Sequence, residues 1–223
     1  MSFLKVDNIN AGYGKKQVLF DVSFEMKKGE TVLLVGANGS GKSSLLKVIY
    51  GLLEPWNKEA KIWLMDEEIT NFKPARLLKK GMVYIPQKKE LFEDLSVKEN
   101  LEVAGMQKMD KERLQKKISE ILERRPKLRK LMNQECSRLS GGERKYLSLS
   151  MAEMTEPEII IYDEPLAGIS PKNYVIQHLE NLKKRGISLL LVEHRIKPLS
   201  NLADQRIELK LGKISNNSFA LKN

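Results

Sequence analysis

The sequence of 223 residues predicts an α/β fold built round a phosphate-binding loop, with a small N-terminal antiparallel β layer, a mainly parallel core sheet and an inserted helical sub-domain. Three observations predict it. The stretch Gly36-Ala37-Asn38-Gly39-Ser40-Gly41-Lys42-Ser43 follows the apolar run Thr31–Val35 and opens onto the amphipathic run Ser44 to Leu53, which is strand, glycine loop and helix in that order. The unbroken apolar runs Ile159–Tyr162 and Ile187–Val192 read as strands covered on both faces, the mark of a parallel sheet. From about Ser96 the pattern becomes wholly helical, and the α/β pattern resumes on both sides of it. Residues 88–136 therefore read as an insertion into a nucleotide-binding core of residues 1–87 and 137–223.

Taken in order, residues 3–9 and 17–27 read as strands, the second with the alternation Val18, Phe20, Val22, Phe24, Met26 of a half-buried antiparallel strand. Asn10 to Lys15 reads as the turn between them and exposes Tyr13. Lys28-Gly29-Glu30 turns the chain into the strand before the glycine loop. Lys61–Met65 is a further strand, and Pro74 suits the first position of a short helix running to Lys80. Met82–Ile85 is a strand stopped by Pro86, with Gln87 next. Val97, Leu101 and Ala104 share one helical stripe, and Leu114, Ile118, Ile121 and Leu122 another, which Pro126 breaks. Helices over about 141–155 and 171–186 flank the strand Ile159–Tyr162, which ends in Asp163-Glu164; His194 stands just past Ile187–Val192. Arg206–Leu211 and Lys213–Ser215 read as two short strands around Gly212.

Composition sets limits on function. Cys136 is the only cysteine, so no intramolecular disulfide forms and a reducing compartment suits the chain. The first residues carry no long apolar core for a signal peptide, and no stretch reaches the roughly 18 apolar residues of a membrane span. A soluble chain is expected. The formal charge of +10 favours acidic partners, but the charges are interspersed, and a lysine-rich solvated surface accounts for most of them. Between Lys108 and Lys130, ten basic residues face four acidic ones, read first as a solvated helix face and second as attraction to anionic headgroups.

The chemistry starts at the glycine loop. Gly36, Gly39 and Gly41 let successive backbone N–H groups turn inward round a polyphosphate at the positive end of the next helix, Lys42 would reach the β- and γ-phosphates, and the Ser43 hydroxyl would ligate Mg²⁺. ATP or GTP binding follows. Asp163 and Glu164 end a buried strand, where an open parallel sheet places its ligand crevice. Asp163 suits the Mg²⁺ shell, and Glu164 suits polarising a water in line with the γ-phosphorus. Leu139-Ser140-Gly141-Gly142-Glu143 is a second anion-binding helix start with Ser140 as cap; without an equivalent of Lys42 it is not the same phosphate site.

In order and spacing, over essentially the whole chain, these residues resemble the nucleotide-binding subunits of ATP-binding-cassette (ABC) proteins. Gly36–Ser43 resembles that family's Walker A, Gln87 its Q-loop glutamine, Leu139–Glu143 its signature, Ile159–Glu164 its Walker B and His194 its switch histidine. The resemblance implies an ATPase that uses ATP and Mg²⁺. It implies that Tyr13 stacks on adenine, that Val18, Gly36, Asn38, Gly39, Ser40, Gly41, Lys42, Ser43 and Ser44 contact the nucleotide, and that Ser43, Gln87 and Asp163 serve the metal. Catalysis falls to Glu164, His194, Gln87 and Lys42. The resemblance further implies a head-to-tail dimer sandwiching two ATP, in which Ser140, Gly141 and Gly142 contact the nucleotide of the partner, so that an isolated subunit hydrolyses slowly. Ser170 departs from the pattern: most members carry aspartate at that place in the D-loop, and cross-talk between the two sites is in question there.

Only about fifty residues separate Gln87 from Leu139, too few for the coiled coils of chromosome and repair members. The stretches Glu67–Phe72, Gly81–Gln87, Leu91–Leu101 and Val192–His194 resemble the group that serves branched-chain amino-acid importers and lipopolysaccharide exporters. The expected partners are therefore a second ABC subunit, identical or paralogous, and integral membrane permease subunits, with no nucleic acid, at the cytoplasmic face of the cell membrane. Branched-chain amino-acid uptake is the leading activity; an export ATPase and a soluble ABC clamp are the alternatives. In this family the insertion and Q-loop form a groove for the permease, with Leu91, Phe92 and Leu95 as apolar lining; the competing reading has Phe92 fill the base of the sub-domain.

Overall fold

The computed structural model describes residues 2–170, 173–194 and 197–219. The antiparallel layer consists of β1 (Leu4–Tyr13), β2 (Lys16–Met26), β4 (Lys61–Leu64) and β5 (Glu67–Glu68), in the order β2-β1-β4-β5. The expected turn at Asn10–Lys15 shrinks to Gly14-Lys15, because Asn10 is used across the hairpin instead. Its Oδ1 accepts from Gln17 Nε2 at 2.9 Å and from the Asp21 N–H at 3.1 Å, and its Nδ2 donates to Asp21 Oδ1 at 2.7 Å. The expected alternation of β2 holds at Val22, Phe24 and Met26 and fails before them. Asp21 has φ +50°, the register slips between Ile9 and Ala11, and Leu19 is buried in place of Val18 and Phe20. A bulge flips which face a side chain occupies, and here it leaves Val18 beside the phosphate loop.

The second sheet contains β3 (Thr31–Val35), β6 (Met82–Ile85), β7 (Ile159–Asp163), β8 (Ser188–Glu193), β9 (Gln205–Lys210) and β10 (Lys213–Phe219), in the order β10-β9-β3-β8-β7-β6. Every pairing is parallel except β9 with β10. The period of two divides each central strand between two cores. Val32, Leu34, Ile159 and Ile161 pack with α1 (Lys42–Ile49) and the antiparallel layer; Leu33, Val35, Ile160 and Tyr162 pack with α6 (Gly141–Met154) and α7 (Asn173–Lys184). The first helix thus lies between the two sheets. It starts at Lys42 and stops at Ile49, not Leu53, because the chain turns at Gly51, φ +67°, where a Cβ would strike the Phe72 carbonyl. The last helix begins within the described residues at Asn173; residues 171 and 172 of the expected span lie outside them. The tail strands run longer than expected, to Phe219.

The short helix α2 (Pro74–Lys79) precedes β6, and the insertion holds α3 (Val97–Gly105), α4 (Lys111–Glu123) and α5 (Pro126–Lys130). Pro126 does more than break a helix; it occupies the first turn of α5, where its missing N–H is harmless. A third core joins Leu91, Leu101, Ile118 and Leu128 to Leu139, Leu147 and Met154. The helix α6 therefore serves the insertion and the main sheet together. Leu91 is spent on this core and does not line a surface, whereas Phe92 is 53% exposed and does not fill the base. Asn100, wholly buried, fixes that loop: its Oδ1 accepts from the Phe92 N–H at 2.9 Å, and its Nδ2 lies 2.9 Å from Phe92 O and 3.0 Å from Ser96 O. Replacing Asn100 with Ala leaves these backbone groups unpaired and is expected to destabilise the fold by about 1–3 kcal/mol in urea unfolding. Unchanged stability would mean that Asn100 does not hold the loop.

Candidate functional site

The carboxyl ends of β3, β8 and β7, neighbours in the sheet, deliver the glycine loop, His194 and Asp163-Glu164 to one place, and β6 adds Gln87. They border a cleft of about 630 Å³ lined by Asn38, Gly39, Gly41, Lys42, Ser43 and Ser44 of the loop and α1, by Gln87, Glu164 and His194, and by Tyr13, Lys16 and Val18 of the first hairpin. Lys16 was not singled out from the sequence. Tyr13 is about half exposed, its hydroxyl 3.3 Å from Ser44 Oγ.

The loop is built to meet an anion. Gly41 caps α1 with φ +104°, and a Cβ there would press on the side chain of Leu19 at 2.8 Å. No side chain caps this helix and no acidic residue stands in its first turn, so its N-terminal dipole and N–H groups are available to a ligand. Lys42 is buried and its Nζ donates to Gly36 O at 2.9 Å and Ala37 O at 2.8 Å. Burial lowers its pKa, opposed by the charges of Glu164 and Asp163. Gly36 and Ser40 stand outside the cleft lining; the Gly36 carbonyl serves Lys42, and the buried Ser40 hydroxyl has no partner among the described residues.

Asp163 lies just below this surface. It is buried, the Ser43 hydroxyl hydrogen-bonds it, and Oδ1 has no partner among the described residues. Its pKa is raised, by burial first, with Glu164 adding and Ser43 and Lys42 opposing. An orphaned carboxylate oxygen beside a hydroxyl and a phosphate cradle fits a small hard cation that keeps waters and phosphate among its ligands. Glu164 takes φ +54°, a strained conformation for a non-glycine residue. Its N–H bonds Val192 O at 3.0 Å and its carbonyl accepts from the Ala167 N–H at 3.2 Å, and these hold it there. The side chain is clamped from both sides, with Gln87 Nε2 donating to Oε2 at 2.5 Å and His194 Nε2 at 2.5 Å from Oε1. His194 Nδ1 lies 3.3 Å from Gly36 O.

Ser140, Gly141 and Gly142 do not border this cleft. Ser140 and Glu143 form a reciprocal capping box at the start of α6, with Ser140 Oγ to Glu143 Oε2 at 2.7 Å. Gly142 is small for a second reason, invisible in the sequence: a Cβ would collide with the hydroxyl of Tyr174. Sequence reading also missed a buried link behind the site. Lys145 on α6 reaches Glu90 Oε2 at 2.9 Å and the Gln87 carbonyl at 3.3 Å, and Tyr162 on β7 donates to the same carboxylate at 3.4 Å. No spacing rule signals a pair 55 residues apart. Glu193, at the end of β8, holds the loop that follows β7 through the Leu166 N–H at 2.8 Å.

Residues 19–167 match the family model described as ABC transporter. The chain is 34% identical over 213 residues to the high-affinity branched-chain amino acid transport ATP-binding protein of Pseudomonas aeruginosa, covering 95% of this chain and 90% of that protein. Among solved structures it is similar to a nucleotide-free ATP-binding cassette from an ABC transporter, with TM-score 0.89, 31% identity, and coverage of 99% and 92% of the two chains. It is also similar to a dimeric cassette in a post-hydrolysis state bound to ADP and Pi, with TM-score 0.85, 25% identity, and coverage of 99% and 100%.

The burial of Asp163 has a sign that can be measured. In the unfolded chain the carboxyl ionises near 3.8, whereas the folded chain keeps its proton to higher pH, so this group's contribution to stability falls as pH rises through that window. Asp163→Asn is therefore expected to raise the Tm of the nucleotide-free protein at pH 7, with the gain vanishing well below pH 3.8 where both states are protonated. A lowered Tm at pH 7 would show that the carboxylate is stabilised as an anion.

Proposed function

The chain belongs to the ABC transporter family, and from that premise we propose how its residues act as the ATP-binding, ATP-hydrolysing subunit of a transporter. The observation that carries the reading is Glu164, clamped between Gln87 and His194 at the rim of the cleft that holds Lys42. In this reading the N–H groups of Gly39 to Ser44 and the ammonium of Lys42 receive the phosphates of ATP, with Gly36, Asn38 and Ser40 shaping the loop, and the ring of Tyr13 and the side chain of Val18 receive the adenine. Lys42 must exchange its two neutral loop carbonyls for anionic phosphate oxygens, which turns hydrogen bonds with one charged partner into ion pairs. Ser43, Asp163 and Gln87 would hold Mg²⁺, which supplies charge neutralisation at the phosphates when bound. Glu164 accepts the proton of the attacking water while Gln87 and His194 set its direction and hold it to the γ-phosphate side of the cleft.

Ser140, Gly141 and Gly142 lie outside this chain's cleft, and in a head-to-tail dimer they donate to the γ-phosphate held by the partner. Half the donors to the transferring phosphoryl group then arrive only on dimerisation, so the isolated subunit hydrolyses slowly. Residues 88–136 act as the helical sub-domain of a core formed by residues 1–87 and 137–223. Exposed Phe92 offers an aromatic anchor to a membrane permease subunit. Among the described residues no helix is long and apolar enough to cross a membrane, and we place the chain on the cytoplasmic face, held there by its permease. The relative named for branched-chain amino acid transport supports uptake of that class of cargo.

Glu164→Gln is expected to lower ATP turnover by about 10²-fold or more while an ATP-dependent dimer accumulates in size-exclusion chromatography. Near-normal hydrolysis would remove Glu164 from its role. The transport reading expects membrane subunits to be retained in mild detergent, with ATPase activity that rises when branched-chain amino acids are presented to the reconstituted complex. Retention of soluble partners alone would overturn coupling to a permease.

A further inference from the structure

A second cleft, of about 480 Å³, lies where the end of α4 meets α6 and α7, and it shares no residue with the nucleotide cleft. Its walls carry four cations, Arg124, Arg125, Lys184 and Arg185, and one carboxylate, Glu153. The inner part is buried: Arg125 is 6%, Glu153 1% and His178 4% exposed. Glu153 is shared, accepting from Arg125 Nη2 at Oε1 and from Arg185 Nη1 at Oε2. Two guanidiniums thus face a single carboxylate. His178 does not correct the balance. Its Nε2 lies 2.6 Å from Arg125 Nη2, and burial, then Arg125 and Arg185, push its pKa well below the ordinary value, so the ring is neutral at pH 7.

Arg125 and Glu153 pair in the buried inner part, so the excess positive charge sits on Arg185, whose side chain is 42% exposed at the edge of the cleft, where an anion can reach it and form a charge-assisted pair. Two buried nitrogens of the same cluster, Arg125 Nε and His178 Nδ1, also have no partner among the described residues. Arg124 and Lys184 add positive charge at the mouth, where they are exposed. One wall is aromatic: Tyr146 stands edge-on to Tyr174 at 5.5 Å and to His178 at 5.1 Å between centroids. The volume is far more than a bare oxyanion fills and lies in the range of small-molecule sites. Four cations against one carboxylate match the charge of a phosphate monoester, near −2, better than that of a single carboxylate.

We propose that this cleft is a second ligand site, for a small organic phosphate whose phosphoryl group sits between Arg125 and Arg185 and whose body lies on the Tyr146–Tyr174 wall. Arg124 and Arg125 belong to the insertion, while Glu153 lies on α6, His178 on α7 and Arg185 just past the end of α7, on the side that covers the main sheet. A phosphate bridging them ties the two parts of the fold together, so occupancy changes how freely the insertion moves against the core.

The test is an NMR titration of the nucleotide-free chain with phenyl phosphate and, separately, with inorganic phosphate. Resonances of Tyr174 and His178 report this cleft and the Gly41 amide reports the phosphate loop, so the two sites are read apart and a failure at one is not a failure at the other. Saturable shifts at Tyr174 and His178 are expected, tighter for phenyl phosphate than for phosphate. Arg185→Ala should weaken them by about tenfold or more, the loss of a charge-assisted pair, Arg185→Lys less, and Lys213→Ala not at all. Should Arg185→Ala fail to fold, the double variant Arg124→Ala and Lys184→Ala, at two exposed positions, carries the same comparison. No saturable shift at Tyr174 and His178, or equal affinity in the arginine variants, overturns the site. Inorganic phosphate binding as tightly as phenyl phosphate overturns the organic ligand and the aromatic wall.

Discussion

Burial of both faces of the strands β3, β8 and β7 is the constraint from which the remaining architecture follows. Fifteen to twenty ångströms of apolar backbone, about the length of five or six residues in a strand, must be covered twice. One face takes α1 and the antiparallel layer, and the other takes α6 and α7. Parallel strands end on the same side of the sheet, so covering them also brings the glycine loop, Asp163-Glu164 and His194 to one rim. The chemistry is placed by the packing.

That rim is held against its own electrostatics. Asp163 keeps a carboxylate where burial disfavours its charge, Lys42 an ammonium where burial does the same, and Glu164 a backbone conformation that side chains rarely adopt. Each is tolerated because neighbours over-determine it: loop carbonyls for Lys42, Ser43 for Asp163, the Val192 carbonyl for Glu164. A ligand carrying phosphates and a cation would relieve the first two. Stability is given up where binding is gained.

The insertion is not a separate body hung on this frame. Its core runs into Leu139, Leu147 and Met154 of α6, and Lys145 of the same helix grips both Glu90 and the Gln87 carbonyl. Residues that line the cleft, the helix α6 and the loop exposing Phe92 are thus joined by a short chain of buried contacts. The Arg125–Glu153–His178 cluster is a second tie between the same parts. Physical contact of this kind allows a change at one place to be felt at another.

The sequence by itself determined the strands with unbroken apolar runs, the phosphate loop, the helix starts marked by Ser96 and Ser140, and the order in which the cleft residues occur. These are local facts, set by periodicity, glycine and capping chemistry within a few residues. Tertiary structure alone decided the rest. Asn10 reads as a turn residue until Gln17 and Asp21 stand opposite it, and Val18 reads as core until the bulge at Asp21 turns Leu19 inward. Leu91 and Phe92 are equally apolar neighbours, yet one is buried and the other exposed because Asn100 fixes the loop between them and α3. Arg125 sits in a run that reads as solvated and is buried against Glu153, 28 residues away. Such partners are brought together by folding over long sequence separations, and no local pattern in the chain encodes which of many like residues will meet.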